Sequence, residues 1–442
     1  MTGPAQRPPA DDGAFQGGAQ ATGPLAALHY RNYRLLWLGQ IVQSEGQWME
    51  QVAQGWLIWD LSHDPFVLGL YGATRSLPAL IFALPAGIIS DRFNRIRVIQ
   101  TAQVAACLLA LVFGLLVQTN MVAVWIILLF GLLNGTAEVS RMPARQALLS
   151  SIVPSQTIMN AVAFNEVGQY TMRIAGPVLA GFIMTAFDDT RTGITLVFYL
   201  RAALYLFAVV CTGLIRIPPG AKIVRRGTVI ENIGDTFSYL KQNPLLLAVV
   251  FIGIAPAMVG QPYQYLLPIF ALEIYHVGPQ GLGMLTATAG VGALFGALML
   301  VAMGNVHRMG VLMLAGLATY GAALFVFGST TNFPLALVAL LFVGAAQANF
   351  MAMRQSLIQL LVRDELRGRV FSIAQLTRGT LSPVGAVLAG TLADAYSAPV
   401  AIMALASFLL AVSTGYATLN KGVRDLDFDM ATAARAENLR GR

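Results

Sequence analysis

Residues 145–148 of this 442-residue chain read Arg-Gln-Ala-Leu, and residues 354–357 read Arg-Gln-Ser-Leu. A second match follows each of them, because Val-Leu-Ala-Gly occurs at 178–181 and again at 387–390. Both matches are separated by 209 positions. One constant offset over two separate motifs indicates an internal duplication, so we expect two similar halves.

The composition places these halves in a membrane. Hydrophobic residues make up 56% and charged residues 11% of the chain, against roughly 45–50% and about 25% in soluble domains. A membrane helix needs about 20 apolar residues, and twelve apolar runs are present in two groups of six. We therefore predict an all-α integral membrane protein with twelve transmembrane helices in two pseudo-symmetric six-helix bundles. The runs lie at about 34–60, 65–90, 96–118, 121–146, 157–187, 193–216, 244–274, 280–304, 308–329, 333–361, 368–394 and 398–420.

Polar segments separate and flank the two halves. The segment between them ends in an amphipathic stretch, with Ile233, Phe237 and Leu240 on one face, which we expect to lie on the membrane surface as a short helix. The expected segments are a disordered tail at 1–28, the first bundle at 29–216, a cytoplasmic linker at 217–243, the second bundle at 244–420 and a cytoplasmic tail at 421–442.

The basic residues predict the orientation. The tails and the connections after even-numbered spans carry 21 of the 28 lysines and arginines, and the connections after odd-numbered spans carry one, Arg191. Basic residues favour the cytoplasmic side, so both termini are expected in the cytoplasm. The net charge of +7 is then a topology signal rather than a sign of nucleic-acid binding.

The sequence contains no motif for metal binding, cofactor binding or nucleotide hydrolysis. Cys107 and Cys211 both lie inside apolar runs, and the four histidines fall at helix ends or in connections. No lysine completes the G-x-x-x-x-G-K-[ST] phosphate-binding loop. We therefore expect no metal site, no cofactor and no nucleotide-driven chemistry on this chain.

The segment between spans 2 and 3 reads Gly87-Ile-Ile-Ser-Asp91-Arg92-Phe-Asn-Arg95. It resembles the G-x-x-x-D-R-x-x-R loop of the major facilitator superfamily. Between about residues 25 and 420, five more segments resemble the enterobactin-exporter-like branch of that superfamily, which includes siderophore and drug efflux proteins. These segments lie at 31–40, 48–57, 143–147, 174–181 and 366–370.

The resemblance implies a monomeric exporter in the lipid bilayer of the bacterial cytoplasmic membrane, which moves a small amphipathic substrate by alternating access. In the family, the aspartate of the loop contacts basic and helix-end groups near spans 4 and 11 and latches one conformation. Here Arg145 and the start of span 11 near Arg367 are its candidate partners. The latch candidates are Gly87, Asp91, Arg92, Arg95, Arg145 and Arg354.

Glutamates inside the first six spans are the candidates for proton coupling: Glu45, Glu50, Glu138 and Glu166. A charge at the bilayer centre costs about 2.5–3.5 kcal/mol on insertion scales, so such residues are functional candidates by default. The offset of 209 places amides, which cannot take up a proton, at the equivalent positions of Glu138 and Glu166. We therefore expect protons, as the coupling ion, to bind in the first half.

The four glutamates differ in their surroundings. Glu45 and Glu50 rank first because their own helix contains no arginine in the membrane, and Glu45 is a candidate partner of Arg75 in span 2. The alternative is that Glu138 with Arg141, and Glu166 with Arg173, form ion pairs that fix packing and never change state.

Other polar side chains inside the spans are candidates for lining a substrate cavity, since a polar stripe cannot face lipid. Spans 1 and 4 depart from the resembled branch at several of these positions, so the identity of the substrate is not carried over. The candidates are Gln43, Gln47, Gln54, Arg75, Asn134, Arg141, Asn165, Gln169, Arg173, Gln347, Gln375 and Arg378.

These observations favour a proton-coupled exporter of siderophore- or drug-like molecules. A lysophospholipid or other lipid flippase of the same fold is the nearest alternative, and a lateral opening between helices would favour it. A membrane enzyme or sensor is the alternative outside the transporters. The sequence offers no nucleophile motif and no soluble domain in its favour.

The orientation can be tested by labelling single engineered cysteines in intact cells. Cysteines at Asp64 or Gln118 should react with an impermeant reagent from outside, whereas a cysteine at Asn94 should react only after permeabilisation. The reverse pattern would overturn the orientation drawn from the basic residues.

Overall fold

The computed structural model describes residues 25–216, 231–304, 306–363 and 366–427, with side chains except at 83–92, 155, 231–236, 367–368, 372 and 375–380. In this part of the chain, twelve long helices follow one another in two groups of six. They are α1 Arg31–Ser62, α2 Pro65–Arg92, α3 Arg95–Gln118, α4 Val124–Ile152, α5 Ile158–Thr185, α6 Thr190–Gly213, α7 Pro244–Ile274, α8 Gly278–Met303, α9 Met309–Ser329, α10 Phe333–Leu361, α11 Arg367–Ala395 and α12 Ala398–Leu419.

The helices differ in how apolar they are. Within the described residues, nine are long and apolar enough to cross a membrane by length and composition alone. The three others are α1, α5 and α11, each at least 28 residues long. Helices of that length with polar interiors must face other helices or water. The polar side chains of α1 and α5 are therefore expected to face other helices or water, where they could form a functional site.

Helix α7 is interrupted, although the hydropathy pattern predicts one continuous span. It contains π-helical turns at Pro256–Gly260 and Phe270–Ile274. Pro262 and Pro268 lie between the two turns, and each proline removes a backbone donor. π-turns often accompany functional sites, and the stretch Tyr263–Ile269 between these two turns packs against α1.

The helix packing repeats itself with a shift of six. Helix α2 packs against α4 as α8 packs against α10, α3 packs against α6 as α9 packs against α12, and α3 contacts α4 as α9 contacts α10. The bundles meet through α2 with α11 and through α5 with α8. A shift of six helices converts the first of these pairs into the second, so the interface has the same pseudo-symmetry as the bundles. The predicted all-α fold with two pseudo-symmetric bundles is therefore confirmed.

The bundles approach most closely at the end that carries the odd-numbered connections, which we call the odd-loop face. A Cβ atom added to Gly69 of α2 would lie 2.9 Å from the Gly390 Cα atom and 2.5 Å from the Ala386 carbonyl oxygen, both on α11. Gly283 of α8 similarly packs directly against the Pro177 carbonyl of α5. Small residues allow helix backbones to meet in this way, so the odd-loop face is closed.

At the opposite end, the even-loop face, the same helices expose apolar side chains. Met159 near the start of α5 is 85% exposed, and Val301 near the end of α8 is 79% exposed. Among the described residues, the closest contacts between a glycine of one bundle and the backbone of the other all lie towards the odd-loop face, at Gly69, Gly181, Gly283 and Gly390. The close packing is therefore asymmetric along the membrane normal.

The tails and the linker depart in detail from the expected boundaries. The predicted disordered tail ends too late, because Ala26–His29 form a 3-10 turn and the Ala27 amide donates to the Asn160 side-chain oxygen at 2.9 Å. The apolar side chains of this turn explain why it packs. The linker helix occupies Glu231–Gln242, as the amphipathic pattern predicts. Residues 1–24, 217–230 and 428–442 lie outside the described residues.

Closure of the odd-loop face should depend on Gly69. Gly69→Ala improves helix propensity by about 0.5–1 kcal/mol, yet it places a methyl group against the backbone of α11. We expect a lower melting temperature and increased labelling of cysteines placed at the odd-loop face. The matched control is Gly415→Ala, since no atom lies within 4 Å of its added Cβ; equal behaviour of the two variants would contradict the close packing.

Candidate functional site

The centre of the first bundle is a buried ion cluster around Glu50. The Glu50 carboxylate is 2.8 Å from Arg201 Nη1 of α6 and 3.4 Å from Arg75 Nη1 of α2. It also accepts a hydrogen bond from Asn134 Nδ2 of α4 at 3.1 Å, while Arg201 Nη2 donates to Asn134 Oδ1 at 3.0 Å. The side chains of Glu50 and Arg201 are only 1% and 2% exposed. Four helices are thus joined at one carboxylate.

Tyrosines and a glutamine extend this cluster. Arg75 Nη1 also donates to the Tyr71 hydroxyl at 3.3 Å, and Tyr71 donates to Gln54 Oε1. On the other side, the Arg201 guanidinium stacks over the Tyr205 ring, 5.0 Å from its centre. The extensions place Gln54 and Arg75, both predicted cavity residues, within one network.

A second ion pair lies beside the first cluster. Arg141 Nε and Nη2 donate to the carboxylate of Glu138, with Nε at 3.1 Å from Oε2. Gln47 Nε2 donates to the same oxygen at 3.0 Å, and Arg141 Nη1 donates to Gln40 Oε1 at 2.9 Å. Arg141 is buried, but Glu138 is 33% exposed. The predicted pairing of Glu138 with Arg141 is present, and α1 holds both ends of it.

A polar cavity of about 140 Å³ joins the two ion clusters. It lies inside the first bundle, because α3 and α6 contribute to its wall together with α1, α2 and α4. Gln43 reaches towards α3, where its Oε1 accepts from Gln103 Nε2 at 3.2 Å. The charged and amide residues that line the cavity are Gln43, Gln47, Glu50, Arg75, Asn134, Glu138, Arg141 and Arg201.

Arg201 is the residue that the sequence analysis missed. It stands alone in the apolar helix α6, and with no polar neighbour at helical spacing it belongs to no stripe. The sequence did contain one indication of its role. A single arginine in the middle of a span has a high free energy of insertion into the membrane, so it requires a partner on another helix.

Polar contacts of a different kind connect the two bundles. Arg173 Nη2 of α5 donates to Gln347 Oε1 of α10 at 3.3 Å, and its guanidinium lies over Trp48 of α1, 5.4 Å from the ring centre. Gln51 Nε2 of α1 donates to Gln264 Oε1 of α7 at 3.3 Å. These residues form the polar part of the bundle interface.

Two expected pairings are wrong. Glu166 does not bond to Arg173, which instead reaches across to Gln347; Glu166 is exposed and interacts electrostatically with Arg145. Arg75 is the partner of Glu50 and not of Glu45. Spacing along α5 did not reveal that Arg173 would turn to the other bundle, and the sequence did not show which glutamate of α1 Arg75 would reach.

The remaining candidates on α1 and α5 lie apart from the ion clusters. Glu45 lies on the opposite side of α1 from Glu50 and is half-buried; its Oε2 atom is buried and makes no hydrogen bond within the described part of the chain. Gln169 Oε1 accepts from the Ser44 hydroxyl at 2.8 Å, which ties α5 to α1. Asn165 is half-buried on α5.

The expected latch is only partly described. Arg95 Nη1 donates to the Ala147 carbonyl at 2.9 Å, so it ties the start of α3 to the last turns of α4, where a cation is favourable. Among the other candidates, the side chains of Gly87, Asp91, Arg92, Gln375 and Arg378 lie outside the described residues.

The duplicated arginines occupy related but different environments. Arg354 Nη1 donates to the Val250 carbonyl of α7 at 3.1 Å. Arg145 is half-buried and interacts electrostatically with Glu138 and Glu166, and its buried Nη1 atom makes no hydrogen bond within the described residues. The first half therefore uses carboxylates where the second half uses backbone and amide oxygens.

Comparisons with known proteins agree with this architecture. The model of a family described as transmembrane secretion effector matches residues 22–438. Macrolide efflux protein A of Streptococcus pyogenes is 21% identical over 83% of this chain and 91% of its own length. The enterobactin exporter of Citrobacter koseri is 23% identical over 80% of this chain and 82% of its own length.

A solved structure shows the same fold. The D-xylose–proton symporter superposes with a TM-score of 0.72 at 13% identity, over 90% of this chain and 99% of its own. The predicted resemblance to the enterobactin-exporter-like branch is confirmed by the family match and the named relatives.

The buried pair of Glu50 and Arg201 should contribute strongly to stability. Glu50→Gln or Arg201→Gln alone leaves a buried charge with fewer partners, which typically costs about 3–5 kcal/mol. The double variant should recover part of the loss, with a coupling free energy of about 1–3 kcal/mol in denaturant unfolding.

A matched control is the exposed pair of Arg191 and Asp60, which are 4.0 Å apart at the odd-loop face. Neutralising both should give a coupling below about 1 kcal/mol. Equal couplings for the two pairs would contradict the view that burial makes the Glu50 pair important.

Proposed function

Because the chain belongs to the transmembrane secretion effector family of major facilitator transporters, we propose that it is a proton-coupled exporter of small amphipathic molecules. It is a multi-pass membrane transporter, and its named relatives include efflux proteins for siderophores and drugs. The finer proposal consists of alternating access, proton coupling and a siderophore- or drug-like substrate. The arrangement around Glu138 and Arg141 is the observation that supports it most directly.

Alternating access is supported by the asymmetry of the bundle interface. Glycines at the odd-loop face let α2 meet α11 and α5 meet α8, and among the described residues the closest glycine contacts between the bundles lie towards this face. With the termini in the cytoplasm, this is a state closed to the outside. Rocking of the bundles about the centre would open the opposite face, as in transporters with parallel repeats.

Glu138 is the proposed proton carrier. It is the more exposed member of the two ion clusters, so protons can reach it, whereas Glu50 is held by two arginines from other helices. The sequence favoured Glu50 as a proton carrier because α1 itself contains no arginine in the membrane. That reason does not hold, since arginines of α2 and α6 reach Glu50. The Glu50 carboxylate instead joins α1 to α2, α4 and α6.

Protonation of Glu138 has a mechanical consequence. A neutral carboxyl group loses its charge-assisted bonds to Arg141, and Arg141 then has Gln40 of α1 as its remaining described partner. The contact between α1 and α4 changes, and both helices line the same bundle. Glu45 and Glu166 remain secondary candidates, since neither has an ion-pair partner among the described side chains that bonds to it directly.

The proposed substrate site lies between the bundles. Two sets of contacts from four helices lie there: Arg173 packs over Trp48 and donates to Gln347 of the other bundle, and Gln51 donates to Gln264 of the other bundle. Aromatic and amide side chains suit an amphipathic molecule, since they combine apolar surface with a few oriented donors and acceptors.

The lipid flippase remains the second candidate. An apolar groove of about 700 Å³ runs between α3 and α4, where Leu108 and Leu133 are exposed. This groove lies on the outside of one bundle rather than between the two bundles. An opening between the bundles would be required for a lipid to enter the substrate site, so the exporter is favoured.

Proton coupling predicts a specific failure in Glu138→Gln. In proteoliposomes tested with a macrolide and with enterobactin, this variant should lose uphill transport driven by a pH gradient, by about tenfold or more. Exchange without a gradient should persist, because the amide keeps the hydrogen-bond geometry.

The control is Glu273→Gln, an exposed glutamate at the end of α7, which should transport like the wild type. Full gradient-driven transport by Glu138→Gln would exclude Glu138 as the carrier, and the same assay would then be applied to Glu45→Gln and Glu166→Gln.

A further inference from the structure

The cavity inside the first bundle carries an excess of positive charge. Two glutamates, Glu50 and Glu138, and three arginines, Arg75, Arg141 and Arg201, line its wall. With all five groups ionised, the wall has a net charge of +1. Arg145 also interacts with Glu138 but lies outside the wall, and Glu166 beside it carries the opposite charge, so these two groups leave the excess unchanged.

One of these arginines has donor capacity left over. Arg201 uses its two Nη atoms for Glu50 and Asn134, but its buried Nε atom makes no hydrogen bond within the described residues. The side chain is 2% exposed, so bulk water does not satisfy it. A buried arginine with an unused donor favours an additional acceptor nearby.

The size of the cavity limits what that acceptor can be. About 140 Å³ corresponds to a few waters at about 30 Å³ each, and drug-sized ligands need roughly 300–1,000 Å³. A halide ion or a single carboxylate group fits, whereas a whole amphipathic substrate does not.

We propose that this cavity binds one small monovalent anion. The anion neutralises the excess charge, whose burial without a partner would be costly, and accepts from the arginine side of the wall. Two sources share this chemistry: an inorganic ion such as chloride, and a carboxylate group that a transported molecule inserts from the bundle interface. The second source rests on the proposed export function; the first does not.

Binding can be tested on purified full-length protein without any transport assay. The protein is equilibrated in sodium HEPES, whose sulfonate anion is too large for the cavity and carries no carboxylate group, and titrated separately with sodium chloride and sodium acetate at constant ionic strength. A ligand that binds only the folded state raises the melting temperature in a saturable manner. We expect saturable stabilisation by at least one of the two anions.

Variants at the wall should shift the affinity in opposite directions. Arg201→Gln lowers the net charge of the wall from +1 to 0 and should weaken anion binding by about tenfold or more, whereas Glu50→Gln raises it to +2 and should strengthen binding by a similar factor. Arg191→Gln removes a charge at the odd-loop face and should leave the affinity unchanged.

The outcomes separate the possibilities. Saturation by chloride supports an inorganic ion, and saturation by acetate alone supports a substrate carboxylate. Absence of saturation by both anions in the wild type overturns the proposal and leaves water as the occupant. If the two buried variants do not fold, Glu138→Gln decides alone: it changes the more exposed carboxylate and also raises the wall to +2, and an unchanged or weaker anion affinity in that variant also overturns the proposal. None of these results depends on whether the protein exports anything.

Discussion

A bilayer core cannot solvate a charge, and this constraint organises the first bundle. Arg201 lies in the middle of an otherwise apolar helix, where an unpaired charge would be expensive. Its partner is Glu50 at 2.8 Å, and the same carboxylate is also held by Arg75 and Asn134. Helices α1, α2, α4 and α6 are thereby joined at one point. The position of the second ion pair, the polar cavity and the polar face of α1 all follow from this junction.

The two halves share a fold and differ in chemistry. Where the first half has Glu138, the duplicated position holds Gln347, which accepts a hydrogen bond from Arg173 of the other bundle. At this position the first half thus has a carboxylate, and the second half supplies a neutral partner to the other bundle. In the proposed mechanism, proton binding alters contacts inside one bundle, and glycine-lined contacts such as Gly69 with Gly390 allow that bundle to move against the other.

Much of the fold could be predicted from the sequence, because the length and hydropathy of each helix can be read along the chain. The repeat at a constant offset then indicated two similar halves. The twelve helices lie within a few residues of the apolar runs, and the pairing of Glu138 with Arg141 follows from their spacing on one helix. Contacts between side chains of different helices were harder to predict from the sequence. The partner of Arg173 could not be predicted, since a long side chain at an interface can reach either bundle. Arg201 was missed because a single charge in an apolar span forms no pattern.

The most direct test of alternating access coupled to protons is a pair of spin-label distances in a cysteine-free background. One pair, at Thr119 and Thr331, spans the odd-loop face, and the other, at Phe93 and Arg308, spans the even-loop face; all four lie near ends of α3 or α9 in opposite bundles. If loss of the Glu138 charge drives the rocking of the bundles, Glu138→Gln, whose amide stands in for the neutral carboxyl group, should lengthen the first distance and shorten the second relative to the parent protein at the same pH. Distances that stay constant, or that change together in the same direction, would contradict this coupling.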